Sequence, residues 1–347
     1  MGIAATRLQN FRVNTEGMYK NEFRASQYGA FDFFETQTGV AGGIASPELI
    51  DRAIGSIGTP LEYPTYVNEG LITITNTRTL TLPDNDNTTA MVGINFATYS
   101  FGFSLTPMQY HNNEFSLQAD YDVKMKRALL ALATQVDTDA IASLATFKTQ
   151  VLPERLGYTF TANTLHAAYD QRETLLGDLE VLQNANDFYG QTHIIAGSGI
   201  KSITNKLAQH GLYNDQNKQL EYNGLMFHYS NRMTNETTDF GTGYAVQDGN
   251  VALLKRFERD ALYGTVMKTG HTWGIETLPI LNIPCGTYSY EMPVDASGLA
   301  GSSTADMTRT GRQYFGFSVD MAFLTAYNST PTTRANPCLK FVVTKPA

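Results

Sequence analysis

The sequence predicts an α+β fold assembled from blocks in a fixed order, and three observations carry that prediction. Residues 71–82 alternate apolar and polar side chains with period two and are rich in β-branched types, the pattern of a strand with one wet face. Residues 120–145 repeat apolar side chains every three to four positions, the stripe of a long amphipathic helix. Helical and strand-like stretches alternate between residues 162 and 252, and the rest of the chain is mainly strand, which argues for a compact α/β lobe beside a separate sheet. With 347 residues, 42% hydrophobic and 17% charged, the chain is long and apolar enough to bury a large core. No run of about 18 consecutive apolar residues marks a membrane span, so a soluble protein is expected.

The first 60 residues scatter aromatics, among them Phe31, Phe33 and Phe34, between Gly29, Gly39, Gly42 and Gly43. Apart from a helix at residues 47–54, started by Ser46 and Pro47, they read as an extended arm. Such an arm cannot bury its own aromatics and would lie across a neighbouring surface; the alternative is an ordinary N-terminal part of the chain's own core. Residues 71–82, the turn cluster Pro83-Asp84-Asn85-Asp86-Asn87-Thr88-Thr89 and a returning strand at residues 90–105 together form a long ribbon. A two-stranded ribbon is marginal in water, so it too is expected to rest on another surface.

The stripe of the long helix is Tyr121, Met125, Leu129, Leu132, Val136, Ala140 and Leu144, with Lys124, Lys126, Arg127, Asp137 and Asp139 mostly off it. At ~1.5 Å per residue it is a rod of roughly 40 Å that can act as a spine. Beyond Pro153 the pattern reads as a helix at 162–183, a strand at 192–196 and a helix at 200–207. A strand or turn follows at 220–230, then a strand at 244–246 closed by the turn Gln247-Asp248-Gly249-Asn250. Strands at 286–292, 314–325 and 339–344, with a Gly/Ser-rich loop at 295–304, make up a terminal sheet.

Motifs for chemistry are weak. Gly197-Ser198-Gly199-Ile200-Lys201-Ser202 lies between a strand and a helix, where backbone N–H groups can hold phosphate. Its lysine does not follow a glycine, and Ser202 stands where a dinucleotide fingerprint needs a third glycine, so the stretch reads as a helix-capping turn. His111, His166, His193, His210, His228 and His271 show no metal-ligand spacing, and no metal site is inferred. Asp84-Asn85-Asp86-Asn87 lacks the glycine and terminal glutamate of an EF-hand and reads as a hairpin tip. There is no nucleophile elbow, and carboxylates such as Asp260 and Glu276 cannot be brought to one cleft from sequence. Cys285 and Cys338 form no CxxC pair and read as buried small hydrophobes in a reducing compartment. No catalytic, cofactor-binding or metal-binding residue is therefore assigned.

The net charge of −8 lacks the basic footprint of a nucleic-acid reader, although a container for DNA need not grip it. Nineteen tyrosines and 19 phenylalanines in a chain with so few charges suit subunit contacts. The N-terminus MGIAATRLQNF has no apolar stretch of secretory length, so synthesis and assembly in the cytoplasm are expected.

Several stretches, taken in order, carry a family resemblance. They are ALLALATQVDTDAIASLATF at 128–147, with a V-D-x-x-x-I pattern at Val136, Asp137 and Ile141; THIIAGSGIKSITNKL at 192–207; LEYNGLMFHYSNRM at 220–233; GYAVQDGNVALLKR at 243–256; and FSVDMAFLTAYNSTPTTRANP at 317–337. Together they resemble the major capsid proteins of tailed bacteriophages, which share the Hong Kong 97-type fold. The resemblance implies an N-terminal arm at 1–60, an extended β-hairpin loop at 61–113 and a peripheral domain at 114–165 and 253–347 containing the spine helix. It implies an α/β axial domain at 166–252. In that family axial lobes meet around pentamer and hexamer centres, while arm and loop reach over neighbours.

The function so implied is structural, a head protein that self-assembles into an icosahedral shell enclosing double-stranded DNA, located in the virion and assembled in the host cytoplasm. No cofactor and no membrane are implied. The partners are further copies of the chain, portal, scaffolding and decoration proteins, and packaged DNA contacted non-specifically. Two departures stand out. No lysine lies between Leu61 and Asn113 to form the family's covalent cross-link, and the chain opens without a long helical scaffolding segment. Scaffolding would then come from another protein or be removed ahead of this numbering. An encapsulin-like compartment shell uses the same fold and is the nearest alternative, with an enzyme working in a cleft between lobe and sheet as the third.

Overall fold

The computed structural model describes residues 3–18, 28–38, 43–55, 60–66, 89–106, 114–208, 221–222, 224–235, 237–256, 272–279, 281, 283–293, 311–327 and 334–346. Its N-terminal region holds three helices, α1 (Ile3–Met18), α2 (Gly29–Gln37) and α3 (Pro47–Gly55). The start of α3 is the expected one, with Ser46 Oγ accepting the Leu49 N–H at 3.2 Å. The other two helices correct the reading of an extended arm. Leu8 and Phe11 of α1 and Phe31, Phe33 and Phe34 of α2 are buried in the main core of their own chain, together with the long helix α4 (Glu114–Phe147). The signal was there to read. Ala30, Phe33, Phe34 and Gln37 stand at i, i+3, i+4 and i+7, and all four are buried on one helical face.

The ribbon begins with β1 (Glu62–Tyr66) and β2 (Thr89–Gly93), antiparallel in the register Glu62↔Gly93 to Tyr66↔Thr89. Residues 71–82 and most of the turn cluster lie outside the described residues. The returning strand, expected to run unbroken over 90–105, divides at Ile94, whose N–H bonds the Leu61 carbonyl at 2.7 Å. Its second half, β3 (Ala97–Leu105), joins the body of the protein by pairing with β13 (Gly311–Thr325). Aromatic side chains explain the division. Phe101 stacks on Phe317 at 5.0 Å, and Phe103 meets Tyr121 of α4 at 5.2 Å, so this half has a core to enter.

Helix α4 is longer than expected at both ends, 34 residues or roughly 51 Å at ~1.5 Å per residue. Every member of the expected stripe from Tyr121 to Leu144 is buried. By length and composition the stretch Leu117–Phe147 would pass for a membrane-spanning helix. Here its apolar stripe packs against protein, with α2, β3, β13 and the C-terminal strand as neighbours.

Two sheets flank this spine. The five-stranded one contains β10 (Val251–Arg256), β13, β12 (Ile283–Pro293) and β11 (Thr272–Leu278) in that order, with β3 added to β13. The seven-stranded one runs β4 (Thr159–Thr161), β5 (Thr164–Ala167), β14 (Cys338–Thr344), β9 (Asp239–Gln247), β6 (Thr192–Ala196), β8 (Leu225–Tyr229) and β7 (Glu221–Tyr222). Helices α5 (Arg172–Ala185) and α6 (Ser198–Ala208) cover one face of it, burying Leu175, Leu179 and Ile203 with Ile194 and Phe341. Ile195, Tyr244 and Val246 on the other face join α2 and α4 in the main core. The chain crosses from one sheet to the other through the turn between β9 and β10.

Two further expectations are corrected. The helix expected at 162–183 is the hairpin β4–β5 followed by α5, and the final strand does not close the terminal sheet. Instead β14 lies in the middle of the seven-stranded sheet, parallel to β5 and antiparallel to β9. Its run Leu339, Phe341, Val342 and Val343 is apolar on both faces and needs cover on both, which the middle of a two-sided sheet supplies.

The buried stripe of α4 gives a direct test. Leu132→Asp places an unpaired charge in the core, costing several kcal/mol, comparable to the whole stability of a domain. Leu132→Met keeps volume and apolar character and should cost less than ~1.5 kcal/mol. Thermal melts followed by circular dichroism should show the first variant unfolded or insoluble and the second close to wild type. A wild-type melt for Leu132→Asp contradicts the packing described.

Candidate functional site

The described residues converge on one junction, where the spine, the N-terminal segment and the lobe meet. Its centre is Asp137, fully buried on α4. One carboxylate oxygen accepts the N–H groups of Ala30 and Phe31, each at 3.0 Å, and the other accepts the hydroxyl of Ser230. Ala30 and Phe31 lie in the first turn of α2, where N–H groups have no partner within the helix and carry its partial positive charge. Asp137 therefore caps α2 from a distant helix and ties it to the strand end beyond β8. Burial pushes its carboxyl above the usual carboxylate range, opposed by Ser230, by the two backbone donors and by the charge of Arg232.

The rest of α2 is stitched as closely. Tyr28 forms an isolated antiparallel bridge to Ser230, and a Cβ at Gly29 would come within 2.5 Å of the Tyr229 carbonyl, so only glycine permits this approach. At the other end Gln37 Oε1 accepts the Gly249 N–H at 2.7 Å and Thr38 Oγ accepts the Leu253 N–H at 2.9 Å. Glu35 pairs with Lys255 of β10. One nine-residue helix thus contacts the spine, the lobe and the five-stranded sheet at once.

Sequence reading missed this centre. Asp137 lies outside the seven-residue apolar stripe, yet it stands four residues after Ala133 and three before Ala140, both buried. That spacing puts it on the buried face, and a carboxylate there must have donors.

The histidines divide. His111, His210 and His271 lie outside the described residues, and His166 sits half-buried on β5. His193 of β6 and His228 of β8 meet on adjacent parallel strands, Nδ1 to Nε2 at 3.0 Å, with Phe33 of α2 packed 5.0 and 5.3 Å from their rings. Asp248 approaches His193 at 3.4 Å and Asp32 approaches His228 at 3.9 Å. Burial lowers both imidazoles, His228 to about 4. Among the described residues no group of three or more His, Cys, Asp or Glu side chains is arranged to hold a metal ion.

The Gly197 turn begins α6, and a Cβ on Gly199 would collide with the Phe240 carbonyl, so that glycine lets the helix lie against β9. Cys285 and Cys338 are buried free thiols, and burial pushes each up to about 12. Glu276 lies on β11, while Asp260 and residues 84–87 lie outside the described residues.

The surface offers contact area more than chemistry. Tyr66 and Met91 at the ribbon base are 60% and 59% exposed, and Tyr189 on the loop after α5 is 75% exposed. Tyr288, Tyr290 and Tyr314 stack in a row on the five-stranded sheet, with ring centroids 6.4 and 4.8 Å apart. Between α3, β1 and the turn at 248–250 a groove of about 510 Å³ is lined by Leu49, Arg52, Tyr63, Tyr66 and Met91 among others.

No family model and no curated protein matches the chain. Solved structures do resemble it. The capsid of cyanophage Pam1 shares 12% identity, with a TM-score of 0.47 over 84% of this chain and 86% of that one. Mycobacterium phage Che8 gives 10% identity and 0.43 over 84% and 86%. The holo-SrpI encapsulin complex of Synechococcus elongatus gives 8% and 0.42 over 82% and 83%.

Asp137→Ala should leave the two α2 N–H groups and the Ser230 hydroxyl without acceptors, at ~1–3 kcal/mol each, so a total loss of roughly 3 kcal/mol or more is expected in urea unfolding. Asp139→Ala on the same helix removes the 2.7 Å bond from the Tyr99 hydroxyl at a half-buried position and should cost about 1 kcal/mol. Equal effects would show that Asp137 is not the centre of the junction.

Proposed function

We propose that the chain is a major capsid protein of a tailed bacteriophage with the Hong Kong 97-type fold, assembling as pentamers and hexamers into an icosahedral shell around double-stranded DNA. The observation that carries this reading is the order of the elements along the chain, which supports the sequence resemblance. A ribbon base precedes a 34-residue spine, which is followed by an α/β lobe and a second sheet. In this role the subunit works by holding angles. The spine packs against both sheets, α2 locks them, and exposed tyrosines supply contact area for neighbours.

Shell stability in this reading comes from many small non-covalent contacts that reinforce one another as linked sites do. The lysine-free stretch 61–113 supports that. A net charge of −8 suits a wall that touches packaged DNA weakly and without sequence preference. Portal, scaffolding and decoration proteins are the expected partners, the virion the expected location, and the host cytoplasm the site of assembly. The reading assigns no catalytic, cofactor or metal residue.

Electron microscopy of the expressed chain, with scaffolding supplied if needed, should show closed shells of regular size with five-fold vertices. Failure to form any regular particle overturns the proposal. Particles that enclose a protein cargo and no DNA when isolated from their natural source favour the encapsulin-like alternative. Boiled in detergent and reductant, particles should give one band near 38.3 kDa. A ladder of covalent multimers would contradict assembly by non-covalent contacts.

A further inference from the structure

We infer that Asp248, His193, His228 and Asp32 form a proton-operated latch that holds α2 on the seven-stranded sheet near neutral pH and releases it in acid. The four groups stand in a row. Asp248 lies 3.4 Å from His193 Nε2, His193 Nδ1 lies 3.0 Å from His228 Nε2, and Asp32 lies 3.9 Å from His228 Nδ1. The first three belong to the lobe and the last to α2.

Counting protons shows why the row responds to acid. A neutral imidazole offers one N–H and one lone pair, so two neutral rings make one bridge across the inner gap and leave only one outer N–H for the two carboxylates. One added proton can still be placed, with an N–H toward each carboxylate and one between the rings, but it leaves a positive charge where burial disfavours it. A second sets N–H against N–H across 3.0 Å and puts two positive charges side by side in a buried site. The rings must then part.

The five-residue backbone ladder between β6 and β8 keeps the two strands together, whereas α2 is held by side chains, capping bonds and the single bridge from Tyr28 to Ser230, so α2 is the part that yields. Phe33 transmits the change because its ring lies against both imidazoles. The other charged groups on the elements packed around the pair are already engaged. Asp137 of α4 holds Ala30, Phe31 and Ser230, Glu35 of α2 pairs with Lys255 of β10, and Arg232 beyond β8 donates to Thr134 Oγ at 3.2 Å.

The direction with pH follows from burial, which holds both imidazoles below their ordinary value of 6.5. The unfolded histidines take protons near 6.5 while burial holds both folded rings below that value, His228 to about 4, so the latch contributes fully above about 6.5 and weakens as pH falls below it. Asp32, raised by burial and by Glu35, loses its charge more readily in acid and withdraws the counter-charge from His228. None of this depends on the proposed shell function.

Hydrogen exchange of the full chain from about pH 7 to about pH 4, corrected for intrinsic rates, tests the latch. Peptides covering α2 should lose protection at least tenfold while peptides covering α5, on the opposite face of the sheet, keep theirs. His228→Gln keeps a donor and an acceptor but cannot take a proton, and should hold α2 protected over the same range. If that variant fails to fold, His193→Gln poses the same question. Loss of α2 and α5 protection together, no loss at α2 in the wild type, or α2 release at the wild-type pH in the variants would each overturn the inference.

Discussion

A carboxylate with no access to water must be satisfied by the protein around it, and at Asp137 that requirement shapes the molecule. Its donors are two free N–H groups at the start of α2 and the hydroxyl of Ser230, contributed by segments about a hundred residues away on either side. Hydrogen bonds to a charged group are stronger than neutral ones, and a buried charge that loses its partners is costly, so the three segments hold one another in place. Spine, N-terminal helix and lobe are thereby joined at a point that tolerates little displacement. A helix of nine residues becomes the keystone between two sheets that the sequence reading kept apart.

Such a junction fixes the angle between spine and lobe, which any cleft between them would leave loose. Apolar packing alone specifies position loosely, because hydrophobic contacts are non-directional. Directional bonds at the crossing of α2 and α4 add what packing lacks. The His193–His228 pair lies on the same helix by way of Phe33, one turn from the carboxylate hub. The rigid junction and the proposed proton latch thus sit side by side.

Much of this was legible in the sequence and some was not, for physical reasons. The spine announced itself because its stripe extends over seven positions of consistent spacing, from Tyr121 to Leu144. Strands β6 and β13 and the glycine turn before α6 likewise stood where their local pattern put them. What failed was long-range. The pattern of Leu339 to Val343 shows that a strand needs two covered faces, but not that β5 and β9 supply them. Helix α2 was hidden by its glycine neighbours, although the spacing of Ala30, Phe33, Phe34 and Gln37 was helical. Asp137 carries no apolar signal and so falls outside the stripe, as carboxylates do in any hydrophobic pattern. The histidine pair had no signal, since its members are 35 residues apart and meet only when β6 and β8 align in parallel.

The central claim is that the Asp137 carboxylate couples the lobe to the spine through Ser230, and a double-mutant cycle measures that coupling. Asp137→Asn, Ser230→Ala and the double variant would be unfolded in urea beside the wild type, all as single chains in solution. The account predicts a coupling of at least ~1 kcal/mol, because either single change removes the same bond. Single effects that add within ~0.3 kcal/mol would mean that the two side chains act independently, and the junction described would not be what holds the subunit together.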